Sequence, residues 1–516
     1  MSCRRLLFRT LSFGEGRVRR RNIFFEKPLT RLLLKLNMIE PITQTRDDDF
    51  LYMQIADRLS SQIHKRILKT GEKLPSVRSL SQEQGISLST AYKAYVQLEI
   101  KGLIEARPKS GYYVRYTPAR SFAQPGMNEE VANTKKLSLE ELVATVYRTF
   151  SPDGLVKLSM AGPGLRLLPQ AKLNKSMMEA IRRSSNSCIS YEEPQGNFNL
   201  RKHIARQAFN WGGNISPEDV VTTQGCMEAL VLCLRAVTSP GDTVAIESPA
   251  YFGIFTTVQS LGLKILEIPT DPVEGIDLVF LADALQGNQM KACLFVPSFS
   301  NPLGYCMSNE RKKAMVELLA GYQVPLIEDD IYGEMYFGKT RPRTCKSYDK
   351  DGLVMLCSSV SKTLAPGYRV GWCIPGRFKA KIINLKLMHT LSSASPTQAA
   401  IGHFFETGRY DLHMRNLRKA LYTQCLRYTQ AIAEYFPQNI KVSRPQGGFV
   451  LWIELDKSID AFDIYKKAMA YNISISPGQI YSTDSRFTNF IRISFGIPFD
   501  SEIDKCVKIL GGLVGR

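Results

Sequence analysis

Histidine is scarce in this chain. Its 516 residues include five, His64, His203, His389, His403 and His413, none at ligand spacing from another. The eleven cysteines form no C-x-x-C pair. Together these absences argue against the common zinc and iron–sulfur arrangements, and a metal site is not expected. Scattered cysteines fit a reducing cytosol, where thiols act as small core residues, so a cytoplasmic location is expected. No apolar run approaches the ~18 residues of a membrane span, so no membrane partner is expected. Acid is also short: 48 Asp and Glu face 67 Lys and Arg, for a net charge of +19. Of this, +8 lies in residues 1–37, where eight Arg and two Lys oppose only Glu15 and Glu26. Residues 1–46 resemble a transit peptide in being Arg-rich and acid-poor, but read more simply as a disordered basic arm, or as sequence upstream of a start at Met38. The remaining +11 is compatible with a polyanionic partner. What is present is otherwise ordinary. A hydrophobic fraction of 44% and a charged fraction of 22% are those of soluble globular proteins. The length suggests about two to four structural units.

Residues 47–115 read as a small basic module. Leu51, Ile55, Leu59, Ile63 and Ile67 recur every four residues and predict one amphipathic helix, stopped by Gly71. Pro75 suits the first turn of a second helix, Ser76–Glu83, because the missing N–H is not needed there. Gly85 breaks that helix, and a third is expected from about Ser89 to Lys101. "LIEARPKSGYYVRY" then alternates about a glycine, as a hairpin does. This is the layout of a winged helix-turn-helix, whose second motif helix enters the major groove of double-stranded DNA; a three-helix protein-interaction module with solvated lysines is the competing reading of the pattern alone. Ser89, Thr90 and Lys93 are expected near the bases, and Ser76, Arg78, Lys109 and Ser110 near phosphates. The stretch "LPSVRSLSQEQGISLSTAYKAYVQLEIKGLIEARPKSGYYV" resembles the GntR-type DNA-binding domain throughout. It departs at Leu88, where family members often carry an arginine.

Residues 116–136 carry two prolines and no apolar period, and read as a flexible tether. A helix is expected over "LSLEELVATVYRTF", with Ser138 as its cap. Beyond about residue 155, the runs "DVVTTQG", "TVAIESPAY", "ACLFVPSFSNP", "VPLIEDDIY", "LVMLCSSVSK" and "YRVGWCI" alternate with helical stretches. Such alternation predicts an α/β domain with a mostly parallel sheet, whose strand ends collect ligands.

Those ends carry chemistry. After one strand, Gly225, Cys226 and Met227 open a helix whose N–H groups make a phosphate cradle. Asn301 precedes a proline in a turn. Asp329 and Tyr332 lie three apart, in a cluster of three acids at the end of an apolar strand. Lys362 follows another strand, with Ser359 before it and Arg369 after it. A lysine with a phosphate cradle and a buried acid is what pyridoxal 5'-phosphate requires: the amine forms a Schiff base, and the carboxylate keeps the ring nitrogen protonated. Asn301 and Tyr332 then suit the phenolic oxygen, and Ser359 and Arg369 the phosphate.

Residues from about 155 to 516 resemble fold-type I pyridoxal-phosphate enzymes of the aspartate-aminotransferase class, through "NPLG", "EDDIY" and "SSVSKTLAPGYRVGW". The resemblance implies that Lys362 is the Schiff-base lysine, with Asp329, Tyr332, Asn301, Ser359, Arg369 and Gly225–Met227 as cofactor contacts. It further implies that Tyr251 stacks on the ring and that Tyr191 reaches the phosphate of the neighbouring subunit. Arg492 would bind a substrate α-carboxylate. A buried structural tyrosine is the competing reading for Tyr191 and for Tyr251. The whole arrangement resembles the MocR subfamily of GntR-type regulators. It implies a winged helix-turn-helix (47–115), a linker (116–136) and an aminotransferase-like domain (137–516). In that domain a large part (about 200–410) precedes a smaller α+β part (about 411–516, with 155–199 contributing). The expected function is DNA-binding regulation by a head-to-tail homodimer sensing pyridoxal phosphate or an amino compound. The rival is a working aminotransferase of an α-amino acid with an accessory DNA-binding module.

Overall fold

The computed structural model describes residues 51–64, 67–68, 72–107, 111–115, 122–126, 154–184, 186–484 and 486–515. The basic arm, Lys109, Ser110, most of the expected tether and the helix expected after Ser138 lie outside them.

The N-terminal module has three helices, Leu51–His64, Val77–Glu83 and Leu88–Ile100, and an antiparallel hairpin of Ile104–Arg107 with Gly111–Val114. It has a hydrophobic core of its own, in which Ile55, Leu59, Ile63, Leu80, Leu98 and Ile104 are buried. Tyr95, also buried there, donates its hydroxyl hydrogen bond to the Pro75 carbonyl at 2.7 Å, tying the third helix to the start of the second. Two positions of the four-residue period differ from expectation. Leu51 and Ile67 are exposed, because Leu51 is the first residue of the helix and Ile67 lies beyond its last turn.

The large sheet has eight strands in the order Val221–Thr223, Gly371–Ile374, Val354–Ser359, Leu326–Asp329, Ala292–Phe295, Thr243–Ser248, Lys264–Asp271 and Gly275–Ile276. The strand pairs from Val354–Ser359 through Lys264–Asp271 are all parallel. Gly371–Ile374 runs antiparallel to both of its neighbours. Strands at the centre are buried along their whole length, which is why they appear in the sequence as unbroken apolar runs. The chain then builds a smaller antiparallel sheet in the order Lys441–Val442, Val450–Glu454, Phe490–Ser494, Ser476–Pro477. Val156–Lys157 pairs in parallel with Ile473–Ser474 beside it.

Part of the expected tether is docked. Phe122 is 5% exposed and belongs to the large core. The Ala123 carbonyl accepts the Val442 N–H at 3.1 Å, and Gly126 N–H donates to Glu454 at 2.8 Å. The segment thus lies along the outer strand of the small sheet, and one buried aromatic overrides the polar composition of its neighbours. Truncating Phe122 to Ala should cost about 3 kcal/mol locally. Hydrogen exchange at the Val442 and Gly126 amides should quicken, with the large sheet unaffected. Unchanged exchange at both amides would contradict this packing.

Candidate functional site

The ends of strands Val221–Thr223, Thr243–Ser248, Ala292–Phe295, Leu326–Asp329 and Val354–Ser359, together with strand Phe490–Ser494 of the small sheet, converge on a cavity of about 360 Å³. Cys226, Met227, Tyr251, Asn301, Asp329, Tyr332, Lys362, Arg369 and Arg492 all line it. The structure therefore brings together nine of the residues singled out from sequence.

The floor is set by close backbone packing. Gly225 caps helix Cys226–Val237 with φ +83°, and a Cβ there would lie 2.3 Å from Arg369 Nη2. A Cβ on Gly371 would lie 2.5 Å from the Gly225 carbonyl carbon. Only glycine fits either place. Arg369 itself adopts φ +53°, and donates to the Gln224 carbonyl at 3.1 Å and to Ser361 Oγ at 3.3 Å. The helix N-terminus, the guanidinium and the Ser361 hydroxyl thus form a cradle of donors suited to a phosphate group.

Ser361, not Ser359, lines the cavity. Ser359 is buried behind it, and its Oγ accepts the Ser361 N–H at 3.2 Å. The reason is local. Residues 361–364 form a turn just after Ser359, the last residue of the strand, and that turn presents Ser361 and Lys362 to the cavity.

Asp329 is the last residue of its strand. Its Oδ1 accepts from Cys226 Sγ at 3.3 Å and from Ile331 N–H at 3.1 Å, while Oδ2 has no partner among the described residues. Burial pushes its carboxyl up to about 6. Lys362 Nζ donates to the Ala161 carbonyl at 2.5 Å. Burial, and then the Arg492 charge, push its amine down to about 8, while Asp329 acts in the opposite sense. Tyr332 hydrogen-bonds Asn301, and its hydroxyl is pushed up by burial beside the Asp329 charge.

Arg492 is 3% exposed, on a strand of the small sheet, between Trp452 and Ser476. It donates to Asn301 Oδ1 at 3.2 Å, to Ser476 Oγ at 2.9 Å and to the Ser159 carbonyl. Its Nε is buried without a partner among the described residues, and no carboxylate meets it there. A buried guanidinium held by neutral acceptors, with a donor to spare, is suited to an incoming anion. Tyr251 faces the cavity beside Phe252, with ring centroids 4.6 Å apart. Tyr191 is 85% exposed and absent from this cavity, which excludes the reading of a buried structural tyrosine.

On the N-terminal module, Ser76 and Ser87 cap the second and third helices, accepting from the Ser79 and Thr90 N–H groups at 3.1 Å. The Ser76 hydroxyl is thereby engaged within its own helix start. Arg78, Ser89 and Lys93 are exposed, and Thr90 is half-buried. Leu88 and Tyr92, 53% and 54% exposed, share the first turns of the third helix. Sequence reasoning did not single out Tyr92, since an apolar residue in a helix ordinarily reads as core. Exposed apolar side chains at this place suit contact with thymine methyl groups.

Residues 165–510 match the family described as "Aminotransferase class I and II". Residues 51–114 match "Bacterial regulatory proteins, gntR family". Over 463 residues the chain is 37% identical to the HTH-type transcriptional regulator YdcR of Escherichia coli (strain K12), covering 90% of this chain and 98% of that relative. The multiple substrate aminotransferase of Thermococcus profundus is similar in shape at 24% identity, with a TM-score of 0.68 over 75% of this chain and 97% of its own. The kynurenine aminotransferase of Pyrococcus horikoshii, solved in complex with PMP, has a TM-score of 0.67 at 25% identity, over 74% of this chain and 95% of its own.

The Lys362 shift has a testable sign. The unfolded chain binds more protons at this residue than the folded one between about 8 and 10.5, so the group adds stability as pH rises through that window. Acylation of Lys362 in the cofactor-free protein should be half-maximal near pH 8. Asp329→Asn should move it lower still, because the carboxylate holds the ammonium up. Reaction of Lys362 only near pH 10.5 would contradict the burial argument.

Proposed function

This chain belongs to the GntR-type transcriptional regulators of the MocR subfamily, built on an aminotransferase class I and II domain, and from that membership we propose that it senses an amino compound at the cavity around Lys362 and reports it to DNA. It is a DNA-binding regulator with a fold-type I α/β domain, and its cofactor is pyridoxal 5'-phosphate. One observation carries the sensing role: an amine, a buried carboxylate and a donor-lined helix start face one cavity, in a chain that also presents an exposed helix start on a separate small module.

The residues fit that cofactor. Asp329 Oδ2 would take the ring nitrogen, whose positive charge returns the carboxyl to its ionised form. Asn301 and Tyr332 would take the phenolic oxygen. Gly225–Met227, Arg369 and Ser361 would hold the phosphate, with Ser359 fixing Ser361 from behind. Tyr251 would lie against the ring. When bound, the cofactor supplies an aldehyde that captures amines and a ring that takes up electron density. Lys362 can hold or release a proton at Nζ near neutral pH, as a group moving a proton from a bound amino compound must. Arg492 would pair with that compound's carboxylate.

Leu165, Ile189, Tyr191 and Met388 all face solvent. A second copy packed head to tail would cover these apolar side chains and carry Tyr191 to its neighbour's phosphate. Such a dimer presents two winged helices to double-stranded DNA, with Arg78, Ser89, Thr90, Lys93, Lys109 and Ser110 as contacts. Ser76 would contribute through the helix start it caps. No described helix is long and apolar enough to cross a membrane. The ten described cysteines are free thiols, which supports a cytoplasmic site of action.

A working aminotransferase is the second reading, favoured by the complete set around Lys362. Retardation of the DNA upstream of its own coding region, with and without cofactor and amino acids, separates the two. Regulation predicts retardation that an amino compound alters, and little turnover with keto acids. For a dimer making ~6 phosphate contacts, raising salt from about 50 to about 200 mM should weaken binding about a thousandfold. Lys362→Ala should lose the label that borohydride fixes with the cofactor. Rapid keto-acid turnover without DNA retention would favour the enzyme instead.

A further inference from the structure

Glu247 lies one residue before the end of strand Thr243–Ser248 and is fully buried. The Tyr305 hydroxyl, itself buried, donates to Glu247 Oε2 at 2.5 Å. Neither side chain lines the cavity. Burial pushes the Glu247 carboxyl up to about 8, against the Tyr305 hydroxyl and the Val296 N–H, which lower it. The group is therefore largely neutral near pH 7. A buried acid with no cation beside it costs folding energy that a glutamine or a methionine would not.

Its position gives it a task. Tyr305 closes the turn that carries Asn301. Ser300 N–H donates to the Tyr305 carbonyl at 3.1 Å, and Gly304 N–H to the Ser300 carbonyl at 2.7 Å. Glu247 stands four residues before Tyr251, which caps the helix Phe252–Ser260 that follows the strand. The Tyr305 ring packs on Gly275, where a Cβ would lie 2.6 Å from its Cε2. A single hydrogen bond thus joins the support of the ring-facing amide to the support of the stacking aromatic. We infer that Glu247 is a positioning residue which, through Tyr305, sets the separation of Asn301 and Tyr251 and so the fit of the cofactor ring between them. This rests on the cofactor reading above. It adds two residues that do not line the cavity.

Cofactor affinity and the pH titration of its visible absorption, measured on the full-length protein, test this. Tyr305→Phe removes one oxygen and should weaken cofactor binding about tenfold, because a buried acid is left without its donor. The absorption titration should also shift, since Asn301 would no longer be held against the phenolic oxygen. Glu247→Gln keeps an acceptor for Tyr305 and should bind within about twofold of wild type. If Tyr305→Phe lowers the melting temperature but leaves both affinity and titration unchanged, the pair is merely structural and the inference is overturned. It is equally overturned if Glu247→Gln is as damaging as Tyr305→Phe. A wild-type protein that takes up no cofactor overturns the functional reading, and this inference with it.

Discussion

A carboxylate removed from water at the end of a strand must find a positive charge or give up its own. Asp329 is in that position. Two donors on Oδ1 satisfy half of it, and the rest is turned over to a cavity that also holds an amine displaced from its ordinary titration. Lys362 and Asp329 perturb one another, and Arg492, reaching in from the small sheet, acts on Lys362. None of the three is at electrostatic rest in the protein alone. A ring bearing a cationic nitrogen and a reactive carbonyl would answer Asp329 and Lys362, and a carboxylate would answer Arg492.

The surrounding fold exists to hold those groups still. Gly225 and Gly371 let two backbone segments approach closely enough for Arg369 to cross the helix start. The five parallel strands deliver their ends to one side of the sheet, and the small sheet brings Arg492 over the top. The site is therefore a property of the packing between two sheets. Arg201, buried and bonded to the Gly196 and Pro217 carbonyls, fixes the loop that projects Tyr191 outward.

Much of this could be read in the sequence, for a physical reason. Strands buried on both faces must be continuously apolar, so the six runs beginning with "DVVTTQG" declared themselves, and so did the polar residues that end them. Lys362 and Asp329 were legible because ionisable groups abutting such runs are anomalous. Other features left no local trace. Ser361 lines the cavity because it sits in the turn after the strand, whose last residue is Ser359. Tyr92 looked like core because a helix pattern does not say which apolar residues lack a partner. Glu247 stood inside the quoted run "TVAIESPAY", but only the fold places Tyr305 against it. Phe122 lay in a stretch whose composition indicates a tether, and its burial is created by a surface formed more than three hundred residues later.

That docked segment also limits how far the two modules can part. With Phe122 fastened to the small sheet, only the six residues 116–121 separate it from Arg115, the last described residue of the winged module. At ~3.5 Å per residue the chain can span about 25 Å, whereas the whole of 116–136 would allow about 70 Å. The DNA-reading unit is on a short leash, and its tie-point is the sheet that carries Arg492. Any tilt of that sheet carries the anchor with it, so the reach of the winged module is bounded by the position of the sheet that carries Arg492.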